Sequence, residues 1–206
     1  SAVPPELVLT PVPMGAASPL PPERVEAIAA ELVRRFERDQ AARKTSSGPV
    51  LGPEELAWML AVDADNRSYL LDLLREVGWI DIGRFGKKAS TAALVMIKHH
   101  EDPAIQMAVL PFIEKDFVPS GGDTGLFAIF IDGLRMTLGE TQRFGSQVGR
   151  DASGEPCVLP LEDPDHVEAR RKEIGLSPLS EYMAERSEVW GKPVRLQCAE
   201  PPLPSP

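Results

Sequence analysis

Apolar residues recur at helical spacing along most of the chain, and this pattern predicts a mainly α fold. The stretch 89–100 is the most apolar, because alanine, methionine and isoleucine repeat along one side while Leu94 and Val95 fill the other. A helix that is apolar almost all round is buried rather than lying on a surface. We therefore expect this helix to be the most buried element, with His99 and His100 at its C-terminal end.

The same periodicity predicts further helices at residues 23–44, 53–62, 66–77, 103–113, 124–138, 164–174 and 178–190. Asp65 is the expected N-cap of the helix that begins near residue 66, because its carboxylate can accept from the first free N–H groups. Asp102 and Pro103 are the expected N-cap and first residue of another helix. After Gly139, two short extended pieces flank a turn rich in Asp, Ser and Gly, which predicts a small β-hairpin near residues 140–161.

Proline content divides the chain into three parts. Residues 1–22 and 192–206 are proline-rich, and proline at this density prevents helix formation. Residues 23–191 are expected to form a single multi-helix domain. The N-terminal arm is either a tail, disordered or packed along the domain, or a spacer that holds the domain away from a membrane or partner.

The charge balance argues against nucleic acid as a partner. The chain has 31 acidic and 22 basic residues, a formal net charge of −9, and no cluster of Lys and Arg offsets it. No apolar run approaches the roughly 20 residues of a membrane span. No cofactor is expected.

Cys157 and Cys198 do not form a metal-binding motif, and whether they pair depends on the compartment. In an exported protein they are able to form a disulfide, whereas in a cytosol they stay reduced. The chain begins at Ser1 rather than Met, as expected for a tag remnant or for the start of a mature exported protein. Export and a cytoplasmic location both stay open on these grounds.

Asp132 is the most informative acid, because it stands in a helix of otherwise apolar residues. An ionised carboxylate in such a helix needs a partner, so we expect Asp132 to be buried and bonded to a His, Arg or Gln of another element. Two interpretations are open. Asp132 either orients a catalytic histidine, or it is a structural acid bonded to Arg135, Arg143 or a backbone turn.

The histidine pair is the second source of candidate chemistry. His99 and His100 are adjacent, so their side chains point about 100° apart on a helix and cannot both serve one site. His99 is either an acid/base or ligand-binding residue, or a histidine at the rim of the core bonded to a carbonyl. Neither H-x-x-x-H nor H-E-x-x-H occurs, so no metal site is predicted.

A third polar element spans residues 142–147, where Gln142 and Gln147 flank an aromatic residue and a glycine. Side-chain amides both donate and accept hydrogen bonds, which suits a polar ligand. Alternatively, these amides satisfy neighbouring backbone groups. Ser146 does not lie in a nucleophile elbow, so a catalytic serine is not expected.

The order of these residues resembles an uncharacterised bacterial family, a domain of unknown function. Its pattern has Asn, Gly-Trp, a Gln-His ending a helix, Asp-Arg in a later helix, a Tyr-Gly-Thr-Gln signature and Arg-Arg before a final Tyr. The match covers roughly residues 60–190. The positions that agree are Asn66, Gly78, Trp79, His99, Asp132, Gln142, Gly145, Gln147, Arg170, Arg171 and Tyr182.

The resemblance implies relatedness rather than an activity, but it selects among candidates. It favours His99 over His100, and it adds Asn66 and Trp79 to the two glutamines as ligand-binding candidates. Members are often exported, which implies a periplasmic or secreted location. The chain departs from the pattern, with Arg, Tyr and Thr replaced by Gly133, Phe144 and Ser146. Loss of the arginine and the phenol weakens an anion-binding or proton-transfer role.

Two hypotheses for function follow. In the first, His99 and Asp132 form a site for a small polar molecule, with His99 within reach of Asp132 or of residues 142–147. Such a site would suit a hydrolase or a lyase, although the sequence shows no evident nucleophile. In the second, a non-catalytic helical module binds a protein or an envelope component, and the same polar residues hold the hairpin on the helices. A solvent-reachable cleft lined by His99 and Gln147 favours the first hypothesis, and a sealed network favours the second.

Overall fold

The computed structural model describes residues 9–16, 18–44, 52–99 and 102–198, and these residues are mainly helical. Within them lie seven α-helices and one two-stranded antiparallel sheet. The predicted mainly α fold with a small hairpin is therefore confirmed. The first eight residues of the proline-rich arm, the last eight of the tail, and His100 lie outside the described residues.

The described residues fall into two compact units, one within residues 9–123 and one within residues 124–198. The first unit contains helices α1 (Pro22–Lys44), α2 (Pro53–Val77), α3 (Ile82–His99) and α4 (Pro103–Phe112). Helix α1 packs against both α2 and α3, and α3 also contacts α4. The three long helices bury an apolar core between them that includes Ile28, Leu32, Leu70, Leu74, Leu94 and Ile97.

Helix α2 corrects one prediction, because it runs unbroken where two helices were expected. Asp65, predicted as an N-cap, lies within the helix, and its carboxylate accepts from Arg35 at 3.0 Å and Arg38 at 2.7 Å. Asp63 likewise accepts from Arg43 at 2.9 Å. These acids are mid-helix residues because arginines of the neighbouring helix satisfy them, so they do not need to cap free N–H groups.

Helix α3 is buried as predicted, with no exposed residue from position 89 to position 99. Its first turn is separate, because Gly86 has φ 80° and ψ 160° and interrupts the helical backbone. The residues from Ile82 to this break form a short helical turn of their own. Three alanines at positions 89, 92 and 93 allow α1 to approach closely.

Helix α4 begins as predicted, since the Asp102 carboxylate accepts from the N–H of Ala104 at 2.9 Å and Pro103 follows as the first residue. Its buried residues are Ile105, Gln106 and Val109, whereas Phe112 is 42% exposed. Pro111 lacks an N–H, and the chain continues from Ile113 to Phe117 as a π-helical turn.

The second unit begins with α5 (Thr124–Thr137) and continues with strands β1 (Val148–Arg150) and β2 (Pro156–Val158). The strands pair antiparallel, with Gly149 opposite Cys157. Helices α6 (Val167–Glu173) and α7 (Leu179–Trp190) follow. A disulfide joins Cys157 to Cys198, so the segment after α7 is fixed beside β2.

Candidate functional site

The candidate histidine lies at the last residue of α3, where the helix leaves the core. Its Nδ1 atom is 2.8 Å from Oδ2 of Asp39, a residue of α1. The Asp39 side chain is fully buried, whereas the His99 side chain retains 19% of its exposure. Asp39 is therefore a buried hydrogen-bond acceptor, and the His99 ring is still accessible to solvent.

Asp39 has further partners within the same unit. Its carboxylate accepts from Arg43 at 2.8 Å and from the amide of Gln40 at 2.9 Å. Burial acts to raise the pKa of Asp39, but hydrogen bonding and charge from His99, Arg43 and Gln40 outweigh it, and the pKa falls below its usual value. Arg43 also donates to Asp63 at 2.9 Å, so this polar cluster connects α1, α2 and α3.

This arrangement has a defined chemical consequence for the ring. A carboxylate that accepts from Nδ1–H fixes both the orientation and the tautomer of the imidazole. Nε2, on the opposite edge of the ring, is then the acceptor in the neutral form and a donor in the charged form. A histidine held in this way is suited to binding a polar group or to exchanging a proton with it.

Asn66 and Trp79, the ligand-binding candidates in this unit, are both buried. Asn66 is 1% exposed and accepts from Arg35 at 3.3 Å through Oδ1, while its Nδ2 meets no acceptor among the described residues. Trp79 is 3% exposed and belongs to the core. Their burial supports structural roles, and ligand contact by either stays a prediction.

Asp132 in α5 is fully buried, as predicted, and it organises the turn of residues 143–147. The main-chain N–H of Arg143 donates to its Oδ1 at 2.7 Å. The N–H of Ser146 donates to Oδ2 at 3.0 Å, and the Ser146 hydroxyl donates to the same oxygen at 2.8 Å. Phe144 donates through its N–H at 3.1 Å. The carboxylate therefore occupies a nest of N–H groups of the kind that binds anions.

The carbonyl groups of this turn are satisfied by side chains of α6 and α7. Arg170 donates to the carbonyl of residue 143 at 2.8 Å, and Arg171 donates to that of residue 144 at 2.6 Å. The hydroxyl of Tyr182 donates to the carbonyl of Ser146 at 2.8 Å. Burial lowers the pKa of Arg171 and raises that of Tyr182. Both side chains thus serve as internal donors.

The two glutamines also bond within this unit. The Gln142 amide donates to the carbonyl of Gln147 at 3.0 Å and to that of Leu159 at 2.7 Å, and its Oε1 accepts from the N–H of Gln147 at 2.8 Å. The Gln147 amide donates to the carbonyl of Ile129 at 3.1 Å. Of the two interpretations of residues 142–147, the satisfaction of neighbouring backbone groups matches these contacts.

The predicted site residues therefore fall into two groups. Asp132, Gln142 and Gln147 lie in one network with Ser146, whereas His99 lies in the other unit with Asp39. Of the predicted partners of Asp132, the backbone turn is the one observed, and Arg143 contributes to it through its main-chain N–H. The predicted contact of His99 with Asp132 or with residues 142–147 would join the two units, and it stays a prediction.

Asp39 is the residue that the sequence reasoning missed. A signal for it exists on α1, where Glu31, Arg35, Asp39 and Arg43 alternate in charge at intervals of four residues. Residues at this spacing share one face of a helix, and the first and last pairs form ion pairs at 2.8 Å. The core residues Ile28 and Leu32 lie on the same face of α1. This series of alternating charges therefore indicates that some of its members are buried.

Two grooves lie elsewhere on the described surface. One, of about 620 Å³, lies between α1 and the start of α3 and is lined by Val33, Phe85 and Gly86 among others. The other, of about 550 Å³, lies between α6, α7 and the segment after α7. Neither is lined by His99 or Gln147. Within the described residues, no group of three or more His, Cys, Asp or Glu side chains is arranged to hold a metal ion.

In the part of the chain that the structure describes, no helix has the length and apolar character needed to cross a membrane. No curated protein and no solved structure matches the chain. A family model does match, over residues 26–195, and its description is a family of unknown function, DUF6624. This match covers most of the sequence, including both polar clusters, and the chain belongs to the DUF6624 family.

Proposed function

We propose that the domain binds a small polar molecule at His99, with Asp39 as the residue that positions the imidazole. The observation that carries this proposal is the 2.8 Å contact between Nδ1 of a partly exposed ring and a fully buried carboxylate. A ligand O–H or N–H group would donate to Nε2 of the neutral ring. A ligand carbonyl or carboxylate would accept from Nε2–H of the charged ring.

The same arrangement would serve acid/base chemistry if the bound molecule reacts. Asp39 would hold the ring in one tautomer, and Nε2 would take or give the proton. The described residues around His99 offer no serine or cysteine nucleophile bonded to the ring, which favours binding or proton transfer over a covalent intermediate. The proposal therefore assigns a ligand class and leaves the reaction class open.

The test is imidazole NMR on the full chain during titration with a mixture of hydroxy acids, amino acids and sugars. The expected result is a saturable shift of the His99 ring signals that the Asp39→Asn variant loses. His166 is a matched control, because its Nδ1 also lies 2.8 Å from an aspartate, Asp163, but the two side chains are 71% and 55% exposed. Equal responses of His99 and His166, or no response of His99, would contradict the proposal.

A second candidate function is a non-catalytic interaction or cell-envelope module. The observation that favours it is the Asp132 network, in which each described hydrogen bond of the carboxylate goes to the turn 143–147. In this account the family signature maintains the fold of the second unit. Asp132→Asn should then reduce the hydrogen-exchange protection of the amides of residues 143, 144 and 146. The response of the His99 ring signals to the ligand mixture should stay unchanged. A change in the His99 response would instead link the two clusters.

We also propose that the protein is exported by a bacterium, to the periplasm or outside the cell. The Cys157–Cys198 disulfide supports this location, because such bonds persist in oxidising compartments. Free thiols would be counted by alkylation and mass spectrometry after production in the periplasm and in the cytosol. The expected result is no free thiol in the periplasmic protein and lower stability of the reduced one. A reduced protein of equal stability would remove this support.

A further inference from the structure

The first turns of α2 are unusual because they bury no residue. Every residue from position 53 to position 61 is at least partly exposed, although most of this stretch is apolar. Leu56 is 42% exposed, Trp58 39% and Leu60 56%. Single exposed apolar residues are ordinary on a protein surface, but a run of them on one helix indicates an interaction surface.

The outward side of this segment carries a regular stripe. Ala57, Leu60, Ala61 and Ala64 are all exposed, and they follow one another at the spacing of one helix face. Val62 and Asn66 are buried on the side that faces the rest of the unit. The small alanine side chains would let a second helix approach closely along the stripe, and Trp58 flanks it as a large apolar contact.

The stripe is symmetric about the midpoint between positions 60 and 61. Ala57 and Ala64 are equally far from this midpoint, and so are Glu54 and Arg67 at its two ends. An antiparallel copy of the segment would place Leu60 against Ala61, Ala57 against Ala64, and Glu54 against Arg67. Each apolar position then meets an apolar position, and each charge meets its opposite.

The terminal charges are available for such contacts. The Glu54 side chain is exposed in the first turn of the helix. Arg67 binds Asp102 through Nε and Nη2, and its Nη1 takes no part in that pair. A second carboxylate can therefore approach the same guanidinium. A self-complementary surface of this kind is what an isologous two-fold interface requires.

We infer that a second copy of this chain docks on this stripe, with the two α2 segments antiparallel and the two-fold axis passing between positions 60 and 61. The contact has an apolar centre formed by residues 57, 60, 61 and 64. Two equivalent Glu54–Arg67 ion pairs close its ends. The surface is small, so the dimer dissociates on dilution.

The first experiment is sedimentation equilibrium of the full chain over a range of concentrations. The expected result is a mass that rises from one copy to two with concentration. Leu60→Glu should keep the protein monomeric with an unchanged circular dichroism spectrum. Leu196→Glu, a matched change of a leucine that is 48% exposed in the other unit, should leave association intact. A monomer at every concentration, or a dimer that Leu60→Glu does not weaken, would overturn the inference.

Cysteine cross-linking tests the antiparallel register. The native cysteines are joined to each other, so introduced thiols report alone. Under mild oxidation, Ala61→Cys should link to itself across the axis. Ala57→Cys and Ala64→Cys should each link poorly alone and efficiently when the two proteins are mixed. Efficient linking of Ala57→Cys to itself would indicate a parallel pairing and overturn the proposed arrangement.

Discussion

The Nδ1 atom of His99 lies 2.8 Å from Oδ2 of Asp39, although 60 residues separate the two in sequence. This contact joins the end of α3 to α1 and gives the ring its orientation. Arg43 donates to Asp39 and also to Asp63, so the polar cluster extends to α2. The cluster is therefore both a connection between three helices and the structural basis of the proposed ligand site.

Asp39→Asn should destabilise the first unit by about 1–3 kcal/mol, because an amide replaces a buried carboxylate that accepts from charged and polar donors. Amide hydrogen exchange in α1 and α3, measured over a range of urea concentrations, would give the change in stability. Asp163→Asn is the matched control, since that acid also accepts from a histidine but is exposed. No measurable loss is expected there. Equal losses in the two variants would contradict the buried role of Asp39.

The contribution of Asp39 to stability should depend on pH in a defined direction. Burial acts to raise the pKa of Asp39, but His99 and Arg43 together lower it by more than burial raises it. Its folded pKa therefore lies below the unfolded value of about 3.9. The stabilisation is then complete above roughly pH 4 and is lost as the pH falls through the folded pKa. The stability difference between wild type and Asp39→Asn should shrink below that pH. A difference that grows on acidification would refute this assignment.

Gly145→Ala should cost more stability than Gly154→Ala. Both glycines have positive φ, 72° and 82°, so each substitution adds backbone strain of about 1 kcal/mol. A Cβ at Gly145 would also lie 2.9 Å from Leu179 Cδ1, whereas one at Gly154 meets nothing within 4 Å. Crowding in a packed core adds about 1–3 kcal/mol. Equal losses in chemical unfolding would show that the turn 143–147 is not packed as described.

Leu94→Ala should lower the free energy of unfolding by about 2–5 kcal/mol, because Leu94 is fully buried in α3. Amide hydrogen exchange in α3 over a range of denaturant concentrations would measure the loss in this unit. Met107→Ala is a control, since Met107 of α4 is 39% exposed and its truncation leaves no buried cavity. A loss under about 1 kcal/mol for Leu94→Ala would contradict the central position of α3.

The sequence predicted the elements that have strong periodicity or clear end signals. Helix α3 was recognised from its apolar surround, and α4 from Asp102 and Pro103. The hairpin was recognised from extended pieces around a polar turn. These signals act within a few residues, so they can be read without knowing what packs where.

The remaining features depend on partners distant in the chain. Asp65 looked like an N-cap because its cross-helix arginines, Arg35 and Arg38, lie 27 or more residues earlier. Asp39 shares a helix face with core residues, but its role depends on His99, which lies 60 residues later in the chain. The sequence predicts that Asp132 is buried. It does not decide whether backbone N–H groups or side chains donate to its carboxylate.

The most direct test of the account is the tautomer of the His99 ring, measured from its ¹⁵N chemical shifts at alkaline pH. If Asp39 accepts from the ring, Nδ1 carries the hydrogen in wild type and Nε2 has the shift of an unprotonated nitrogen. In Asp39→Ala this preference should disappear, while His166 stays unchanged. Nδ1–H in wild type, with an Nε2 signal that moves on addition of the polar mixture, is the predicted result. An unprotonated Nδ1 in wild type, or the same tautomer after loss of Asp39, would contradict the account.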